Sequence, residues 1–298
     1  MDRRDSLLAA LVAVIWGVNF LVIDWGMGDV PPLLFAAVRF VVVVFPAILL
    51  VPRPQAPWGL VAGVGVFMSL GQFGFLYASI AAGMPPGLAA LVLQAQVIFT
   101  IVIAAGVLRE QPTPAQVTGV ALGSVGLVVV AAGRGGQVSG TALVLCLLGA
   151  LSWGLGNVLS RAARLPGGLA LTVWSAVVVP VPLVALTVLL DGTGGLSAGL
   201  AAFGWGAAVS TAYTAGMASL VGYGVFNGLL ARNASSAVVP WVLLVPVVAM
   251  TSAWLVLDQR PSAAEVLGGL VLVVGALVAL RPARATVPAD PASPSAHG

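Results

Sequence analysis

The stretches LREQPTPAQVTGVALGSVG (108–126) and LDQRPSAAEVLGGLVLVVG (257–275) can be laid over each other without a gap. The matched positions are Leu108 with Leu257, Pro112 with Pro261, Ala115 with Ala264, Gly119 with Gly268 and Gly126 with Gly275. The match indicates that the chain is an internal duplication. The alternative is a chance likeness between two apolar segments rich in Gly and Val.

The composition of the chain is that of a protein embedded in lipid. Of its 298 residues 60% are hydrophobic and 7% charged, and the mean hydropathy is +1.12, whereas soluble domains carry roughly 25% charged residues. A bilayer core needs about 20 apolar residues per helix. Blocks of that size recur along the chain, so we predict an all-α polytopic membrane protein and no nucleic-acid partner.

The apolar blocks predict ten transmembrane helices. They span residues 6–26, 32–51, 59–80, 87–108, 114–132, 141–162, 169–190, 206–231, 235–257 and 263–281. The duplication divides them into a first half at 1–134 and a second half at 135–281. Because five is an odd number, the second half enters the membrane in the opposite orientation, which is the inverted repeat of many carriers.

The arginines predict the orientation of the helices. Cytoplasmic loops carry an excess of basic residues, and an N-terminus in the cytoplasm places most arginines there. On that side lie Arg3, Arg4, Arg53, Arg109, Arg161, Arg164, Arg232, Arg281 and Arg284, against Arg134 and Arg260 on the other. We therefore expect both termini to be cytoplasmic and the tail at 282–298, rich in Pro, Ala and Ser, to be disordered.

Polar residues inside the predicted helices are candidates for function, because polar groups in lipid are costly unless they pair or face water. They are Asn19, Asp24, Arg39, Gln72, Gln94, Gln96, Asn157 and Asn227, with Tyr77, Tyr213 and Tyr223 beside them. Gln94 and Gln96 are about 200° apart around a helix. We predict that Gln94 faces a central cavity while Gln96 bonds to a neighbouring helix; alternatively, both amides only hold helices together.

Arg39 lies about eight residues, some 12 Å, into its predicted helix. A permanently charged guanidinium at that depth needs acceptors, and its fork suits a substrate carboxylate. The alternative is a structural bond to backbone carbonyls or to Asp24 on the preceding helix. Trp16, Trp153 and Trp174 also lie within predicted helices, where an indole can wall a substrate cavity or form part of an interfacial belt.

The sequence does not favour an enzyme. We find no histidine within the apolar blocks, no paired carboxylates, no metal-ligand spacing and no nucleotide-binding loop, and the chain has no lysine. We therefore predict no cofactor and no ATP-driven transport by this chain alone. Asp24 lies within a predicted span, close to its outer end, so it is a possible proton-coupling site; an uncoupled facilitator or exchanger is the alternative.

Several stretches together resemble the EamA branch of the drug/metabolite transporter superfamily, and within it the bacterial exporters of O-acetylserine and cysteine. They are AVIWGVNFLVIDWG, PPLLFAAVRF followed by FPAILL, GMPPGLAALVLQAQVIFTI, VVPWVLLVPVV and LREQPTPAQVTGVALGSVG. The likeness covers about residues 5–281. This family commonly has an acidic residue at the end of the fourth helix of each half; Glu110 matches it in the first half, but Gln259, after Asp258, replaces it in the second. Asp24 is a second departure from the pattern. Both leave the identity of the substrate open.

The resemblance implies a ten-helix inverted-repeat carrier of the bacterial inner membrane with a central cavity, the fifth and tenth helices packing behind. By position, the substrate-binding residues would be Trp16, Asn19, Arg39, Gln72, Gln94, Gln96, Asn157, Trp174 and Tyr223, with Trp153 beside them. The expected partners are the lipid bilayer and a small amino-acid-like substrate, moved by alternating access by a monomer. The alternatives are a broader exporter of amino acids or drugs and a membrane subunit that does not transport.

Overall fold

The computed structural model of the protein describes residues 1–133, 138–164, 168–233 and 235–280, in which all regular secondary structure is helical and no strand occurs. The predicted tail at 282–298 and the predicted positions of Arg134, Arg281 and Arg284 lie outside these residues. The described chain forms ten apolar helical segments, numbered here in chain order. Segments 1 to 9 are Arg3–Met27, Pro32–Leu50, Trp58–Ala81, Pro86–Val107, Pro114–Gly133, Gly140–Ala162, Leu169–Ala201, Trp205–Arg232 and Val239–Leu257, each long and apolar enough to cross a membrane.

Segment 10, Ala263–Ala279, is apolar but shorter than these. The segment bounds agree with the predicted helices to within a few residues except in segment 7. That segment, predicted to end at residue 190, continues to Ala201 through a break at Gly192, whose φ is +73°. Glycine adopts this backbone conformation at little steric cost, so the helix resumes beyond the polar and glycine-rich stretch that ended the predicted one.

The starts of segments 5 and 10 are fixed by the same local chemistry. Thr113 Oγ1 accepts from the backbone N–H of Gln116, whose side-chain oxygen accepts from the N–H of Thr113. Ser262 and Glu265 make the same reciprocal pair before segment 10. Such a capping box satisfies two N–H groups that a helix start leaves unpaired, and the two boxes occupy matched places in the aligned stretches 108–126 and 257–275.

Segments 5 and 10 cross at closely packed glycines. A Cβ at Gly119 would lie 2.5 Å from the carbonyl oxygen of Gly275, and one at Gly275 would lie 2.7 Å from that of Gly119. The same reciprocity links Gly126 and Gly268, at 2.5 and 2.6 Å. Only residues without a side chain allow the two backbones to approach this closely.

Irregular turns occur in segments 3 and 8 and in segments 4 and 9, at places that correspond when the match of 108–126 with 257–275 is extended backwards. Segment 3 contains a π-helical stretch at Gly65–Gly71, and segment 8 contains one at Tyr213–Val221. Segment 4 has a 3₁₀ turn at Leu93–Ala95, and segment 9 begins with one at Val239–Leu244. Irregular turns of this kind are common at functional sites, and inside a membrane they are tolerated where protein or a cavity surrounds them.

The segments form two groups around a central space. Segment 1 packs against segments 8 and 9, while segment 6 packs against segments 3 and 4. The end of the bundle that holds the start of segment 1 also holds the end of segment 8, because Arg232 and Asn233 donate to the Asp5 carboxylate at 3.0 and 2.6 Å. We call this the terminal end, and the other the far end.

Candidate functional site

A cavity of about 610 Å³ lies between the two groups of helices. Its deepest wall includes Trp16, Arg39 and Phe73, and its rim at the terminal end includes Arg161 and Leu280. A space of this size falls in the range of small-molecule sites, roughly 300–1,000 Å³. The cavity is therefore large enough to hold a metabolite.

At the far end of the bundle the described segments pack closely against one another. The first half of segment 4 lies against segment 9, where a Cβ at Gly87 would be 2.9 Å from the Cα of Met250. Ser210 of segment 8 also donates to the carbonyl of Val22 in segment 1 at 2.7 Å. Among the described residues, the lining of the cavity reaches the terminal end and not the far end.

A smaller pocket of about 70 Å³ adjoins the cavity at its deepest point. The two spaces share the aromatic side chains of Trp16, Phe73, Trp153 and Tyr223 and the guanidinium of Arg39. The polar residues lining this inner pocket are Asn19, Arg39, Gln72, Gln94 and Tyr223. With Trp16, the described residues thus place six of the predicted site residues around one small space.

Arg39 is held by two hydroxyls rather than by a carboxylate. Its guanidinium donates to Tyr77 Oη at 3.2 Å and to Ser219 Oγ at 3.0 Å, and it lies 4.1 Å from the centre of the Phe73 ring. The residue is 2% exposed, and Nε has no partner in the part of the chain that the structure describes. A guanidinium has five N–H donors, so this buried cation retains donor capacity for an incoming anion.

The amides beside Arg39 carry unused acceptors. Asn19 and Gln94 are 6% and 5% exposed, and within the described residues neither Asn19 Oδ1 nor Gln94 Oε1 has a hydrogen-bond partner. Gln94 also lines a space of about 10 Å³ towards segments 5 and 10. Leaving a buried polar atom unpaired is costly, so these oxygens favour a bound donor.

Gln96 lies on the wall of the larger cavity and not on that of the inner pocket. Its side-chain oxygen accepts from Asn157 Nδ2 at 3.0 Å, and the same amide nitrogen lies 3.4 Å from Thr100 Oγ1. The pair joins segments 4 and 6. The two glutamines thus take different surroundings: Gln94 reaches the inner pocket, and Gln96 makes the interhelical bond that the sequence predicted while also facing the cavity.

Aromatic side chains wall the passage between the cavity and the inner pocket. Trp16 Nε1 donates to the carbonyl of Ala218 at 2.8 Å, which fixes the indole against the π-helical stretch of segment 8. Its ring centre is 5.0 Å from that of Tyr223 and 5.2 Å from that of Phe226. Aromatic pairs at these separations stabilise one another by about 0.5–1.5 kcal/mol, so these contacts help to hold the wall in place.

Two predicted residues, Trp174 and Asp24, line neither the cavity nor the inner pocket. Trp174 donates to the carbonyl of Val51 at 3.0 Å and packs edge-on against Trp58, and it does not line either space among the described residues. Asp24 is half-buried near the far end of segment 1 and likewise lies away from both spaces.

Sequence reasoning missed Ser219, Phe73 and Arg161. Ser219 also donates to the carbonyl of Thr214, and such local bonding makes hydroxyls common in helices of membrane proteins. Phe73 is an ordinary apolar residue in the sequence. Arg161 was interpreted only as a topology signal, yet it lies at the cavity rim and pairs with Glu110 at 2.8 Å.

Comparisons with known proteins fit this architecture. The model of the EamA-like transporter family matches residues 5–132 and 140–281. The "Probable amino-acid metabolite efflux pump" of Escherichia coli (strain K12) is 39% identical over 282 residues, which cover 92% of this chain and 94% of that protein. The protein of the same name from Salmonella typhimurium (strain LT2) is 39% identical over 281 residues, with the same coverage.

A solved crystal structure of a protein superposes on this chain with a TM-score of 0.61 at 22% identity. The superposition covers 94% of this chain and 97% of that one. At this identity the likeness shows a common fold.

Proposed function

The chain belongs to the EamA-like transporter family, and we propose that it exports small amino-acid metabolites across the bacterial inner membrane by alternating access. Cysteine and O-acetylserine are the leading substrates. The observation that carries the proposal is Arg39: a buried guanidinium with no carboxylate partner among the described residues, at the deepest point of a cavity of about 610 Å³.

The substrate class follows from the chemistry of this cation. A guanidinium binds carboxylates through two parallel hydrogen bonds, and the described lining of the cavity and of the inner pocket includes neither Asp nor Glu. A carboxylate-bearing solute therefore fits better than a cationic drug. The names of the Escherichia coli and Salmonella relatives agree with this choice.

The remaining site residues take roles around the carboxylate. Asn19, Gln72 and Gln94 supply hydrogen bonds in the inner pocket, and Trp16 with Tyr223 encloses the apolar part of the substrate. The Gln96 and Asn157 pair forms a polar wall of the cavity. Trp153, which lines both spaces, replaces Trp174 as the second indole of this wall.

Alternating access is supported by the likeness of the two halves. We propose ten membrane-spanning helices in two inverted repeats, the first at 1–134 and the second at 135–281. The family model matches once in each half. The capping boxes, the π-helical stretches, the 3₁₀ turns and the reciprocal glycine contacts occur at matching places, as expected when two copies of one unit rock about a shared site.

The arginines favour a terminal end that faces the cytoplasm. Arg3, Arg53, Arg161 and Arg232 lie at the ends of segments that meet there, whereas Arg260 follows segment 9 at the far end. Basic residues accumulate on the cytoplasmic side of membrane proteins. In this orientation the cavity opens to the cytoplasm, from which an exporter takes up its substrate.

Counterflow of labelled cysteine into liposomes that contain the purified protein tests the proposal. We expect uptake that unlabelled cysteine and O-acetylserine abolish and that cationic drugs do not. Competition by drugs alone would favour the drug exporter. No exchange and no ligand-dependent thermal shift, from protein shown to be folded, would favour a membrane subunit that does not transport.

The coupling of transport to protons is a separate question. Asp24 lies away from the cavity, so an uncoupled exchanger fits the site without it. Counterflow with and without a proton gradient, in the wild type and in Asp24→Asn, decides between the two. A gradient response that Asp24→Asn removes would support the coupling role of Asp24.

A further inference from the structure

Asn19 Oδ1 is a buried acceptor that the protein leaves open. The side chain belongs to segment 1, is 6% exposed, and lines the inner pocket together with Arg39. Oδ1 has no hydrogen-bond partner within the described residues. Since an unpaired buried acceptor is costly, the pocket is suited to a ligand that brings a donor to this atom.

The inner pocket is sized for part of a metabolite. One water needs about 10–15 Å³ of cavity, so about 70 Å³ holds a group of a few heavy atoms. The pocket continues into the larger cavity past Trp16 and Tyr223. A ligand can therefore place a small polar head in the pocket and extend its remaining atoms into the cavity.

We propose that the inner pocket binds the zwitterionic head group of an α-amino acid. The carboxylate takes the open donor capacity of Arg39, and the α-ammonium donates to Asn19 Oδ1. This inference rests on the proposed export of amino-acid metabolites and adds a requirement to it: the substrate must carry a free α-ammonium as well as a carboxylate.

Two classes of compound are excluded by this arrangement. An amine without a carboxylate meets the positive charge of Arg39 with no anion between them. An N-acylated amino acid keeps its carboxylate but replaces the ammonium, which has three N–H donors, by a planar amide with one. Its acyl group would also have to occupy the small pocket beside Asn19.

Two isomers test the requirement for an ammonium. O-acetyl-L-serine and N-acetyl-L-serine have the same atoms and the same carboxylate, but only the first has a free ammonium. Each is used to compete with labelled cysteine in counterflow, at mildly acidic pH so that the acetyl group stays on oxygen. A hydrogen bond to a charged group is worth about 1.5–3 kcal/mol, and 1.4 kcal/mol is tenfold, so we expect O-acetylserine to compete at least about tenfold better.

Asn19→Ala tests the assigned atom. We expect the variant to lose affinity for O-acetylserine while its weak response to N-acetylserine changes little, so that the two isomers come to differ by less than about threefold. Gln259→Ala, which changes an exposed glutamine at the far end, controls for purification and reconstitution and keeps the full discrimination.

The possible failures are distinguishable. If neither cysteine nor O-acetylserine is exchanged, the proposed function itself fails. If the wild type exchanges cysteine but N-acetylserine competes as well as its isomer, the exporter stands and the ammonium site is overturned. If Asn19→Ala is folded and active yet keeps the tenfold discrimination, Asn19 is not the acceptor.

Discussion

The 3₁₀ turns of segments 4 and 9 correspond in position but differ in their side chains. The first, Leu93–Ala95, contains Gln94 and is followed directly by Gln96. The second, Val239–Leu244, contains only apolar side chains. When the ungapped match of 108–126 with 257–275 is extended backwards, Gln94 corresponds to Leu243 and Gln96 to Val245.

Segments 2 and 7 show the same contrast. Arg39 precedes Pro46 by as many residues as Ser175 precedes Pro182, so a neutral hydroxyl occupies the place of the cation. The halves thus share irregular turns, caps and glycine contacts, but not the cation of segment 2 or the glutamines of segment 4. The difference suggests a division of roles for the proposed carrier: the features common to both halves serve the fold, and the first half supplies most residues of the proposed substrate site.

Of the changes that test this difference between the halves, Arg39→Gln should reduce transport most. Removing one partner of a buried charged hydrogen bond costs about 2–5 kcal/mol, so we expect kcat/KM for cysteine counterflow to fall by about 30-fold or more. Arg39→Lys, which keeps the charge without the fork, should recover part of the activity. Ser175→Ala, the matched change in the second half, should alter it less than about threefold. Equal losses at both positions would refute the asymmetry.

Gly126→Ala and Gly275→Ala test the reciprocal glycine contacts between segments 5 and 10. Each added Cβ would lie within 2.7 Å of the opposite backbone, and overpacking typically costs about 1–3 kcal/mol. We expect both variants to unfold at lower temperature, by similar amounts, in detergent. Gly106→Ala, where a Cβ meets nothing within 4 Å, is the control and should not lower the midpoint. A loss confined to one of the two glycines would contradict the reciprocity.

Gln94→Leu makes the first 3₁₀ turn as apolar as the second. Losing a hydrogen bond to the substrate costs about 0.5–1.5 kcal/mol, so we expect roughly a fivefold fall in kcat/KM with the thermal midpoint kept or raised, since a buried open acceptor is removed. Leu243→Ala, at the corresponding place, should instead lower the midpoint by leaving a cavity. Retained transport in folded Gln94→Leu would remove this residue from the site.

Asn157→Ala should have a smaller effect because Asn157 bonds to another side chain. Interhelical hydrogen bonds in membranes average about 0.6 kcal/mol, which predicts a fall in transport of about threefold. A double-mutant cycle with Gln96→Ala separates their coupling from contacts to the substrate. Full additivity of the two changes would show that the pair does not act as a unit.

Glu110→Gln should have the smallest effect of this set. The Glu110 and Arg161 side chains are 48% and 51% exposed, and exposed ion pairs contribute about 0–1 kcal/mol. We expect transport within about twofold of the wild type, measured at low and high salt. A large salt-dependent loss would give the cavity rim a role in substrate entry.

The fold was largely readable from the sequence because the lipid environment leaves few choices. Long apolar blocks in a membrane become helices, and polar or glycine-rich stretches mark most of their ends. Segment 7 shows the limit of this rule: at Gly192 the backbone takes a turn that local composition predicts as an end, and the helix resumes beyond it. The π-helical stretches inside segments 3 and 8 were not predicted, because the apolar pattern of the sequence continues through them.

The site was readable where a residue was out of place in an apolar helix. Asn19, Arg39 and Gln94 stood out for this reason and meet at the inner pocket. Ser219 and Phe73 did not, since hydroxyls and aromatics are ordinary in such helices. The partners of a buried cation depend on how segments far apart in the chain pack against each other, and a single sequence does not show this packing.

The spacing of Gln94 and Gln96 predicted different faces, and the 3₁₀ turn between them alters the angle that a regular helix would give. Trp174 was grouped with Trp16 because both are indoles within predicted helices. Their surroundings separate them: Trp16 is fixed against segment 8, whereas Trp174 lies beside Trp58.

The glycine crossing of segments 5 and 10 has an evolutionary consequence. Gly119 meets Gly275 while Gly126 meets Gly268, and each contact becomes the other when matched residues are exchanged. An isologous interface between identical subunits has this property. In the proposed inverted arrangement, a five-helix ancestor inserted in both orientations would form the same crossing as a homodimer. Fusion of two gene copies would then preserve this interface. It would also allow a cation such as Arg39 to be present in one half and absent from the other.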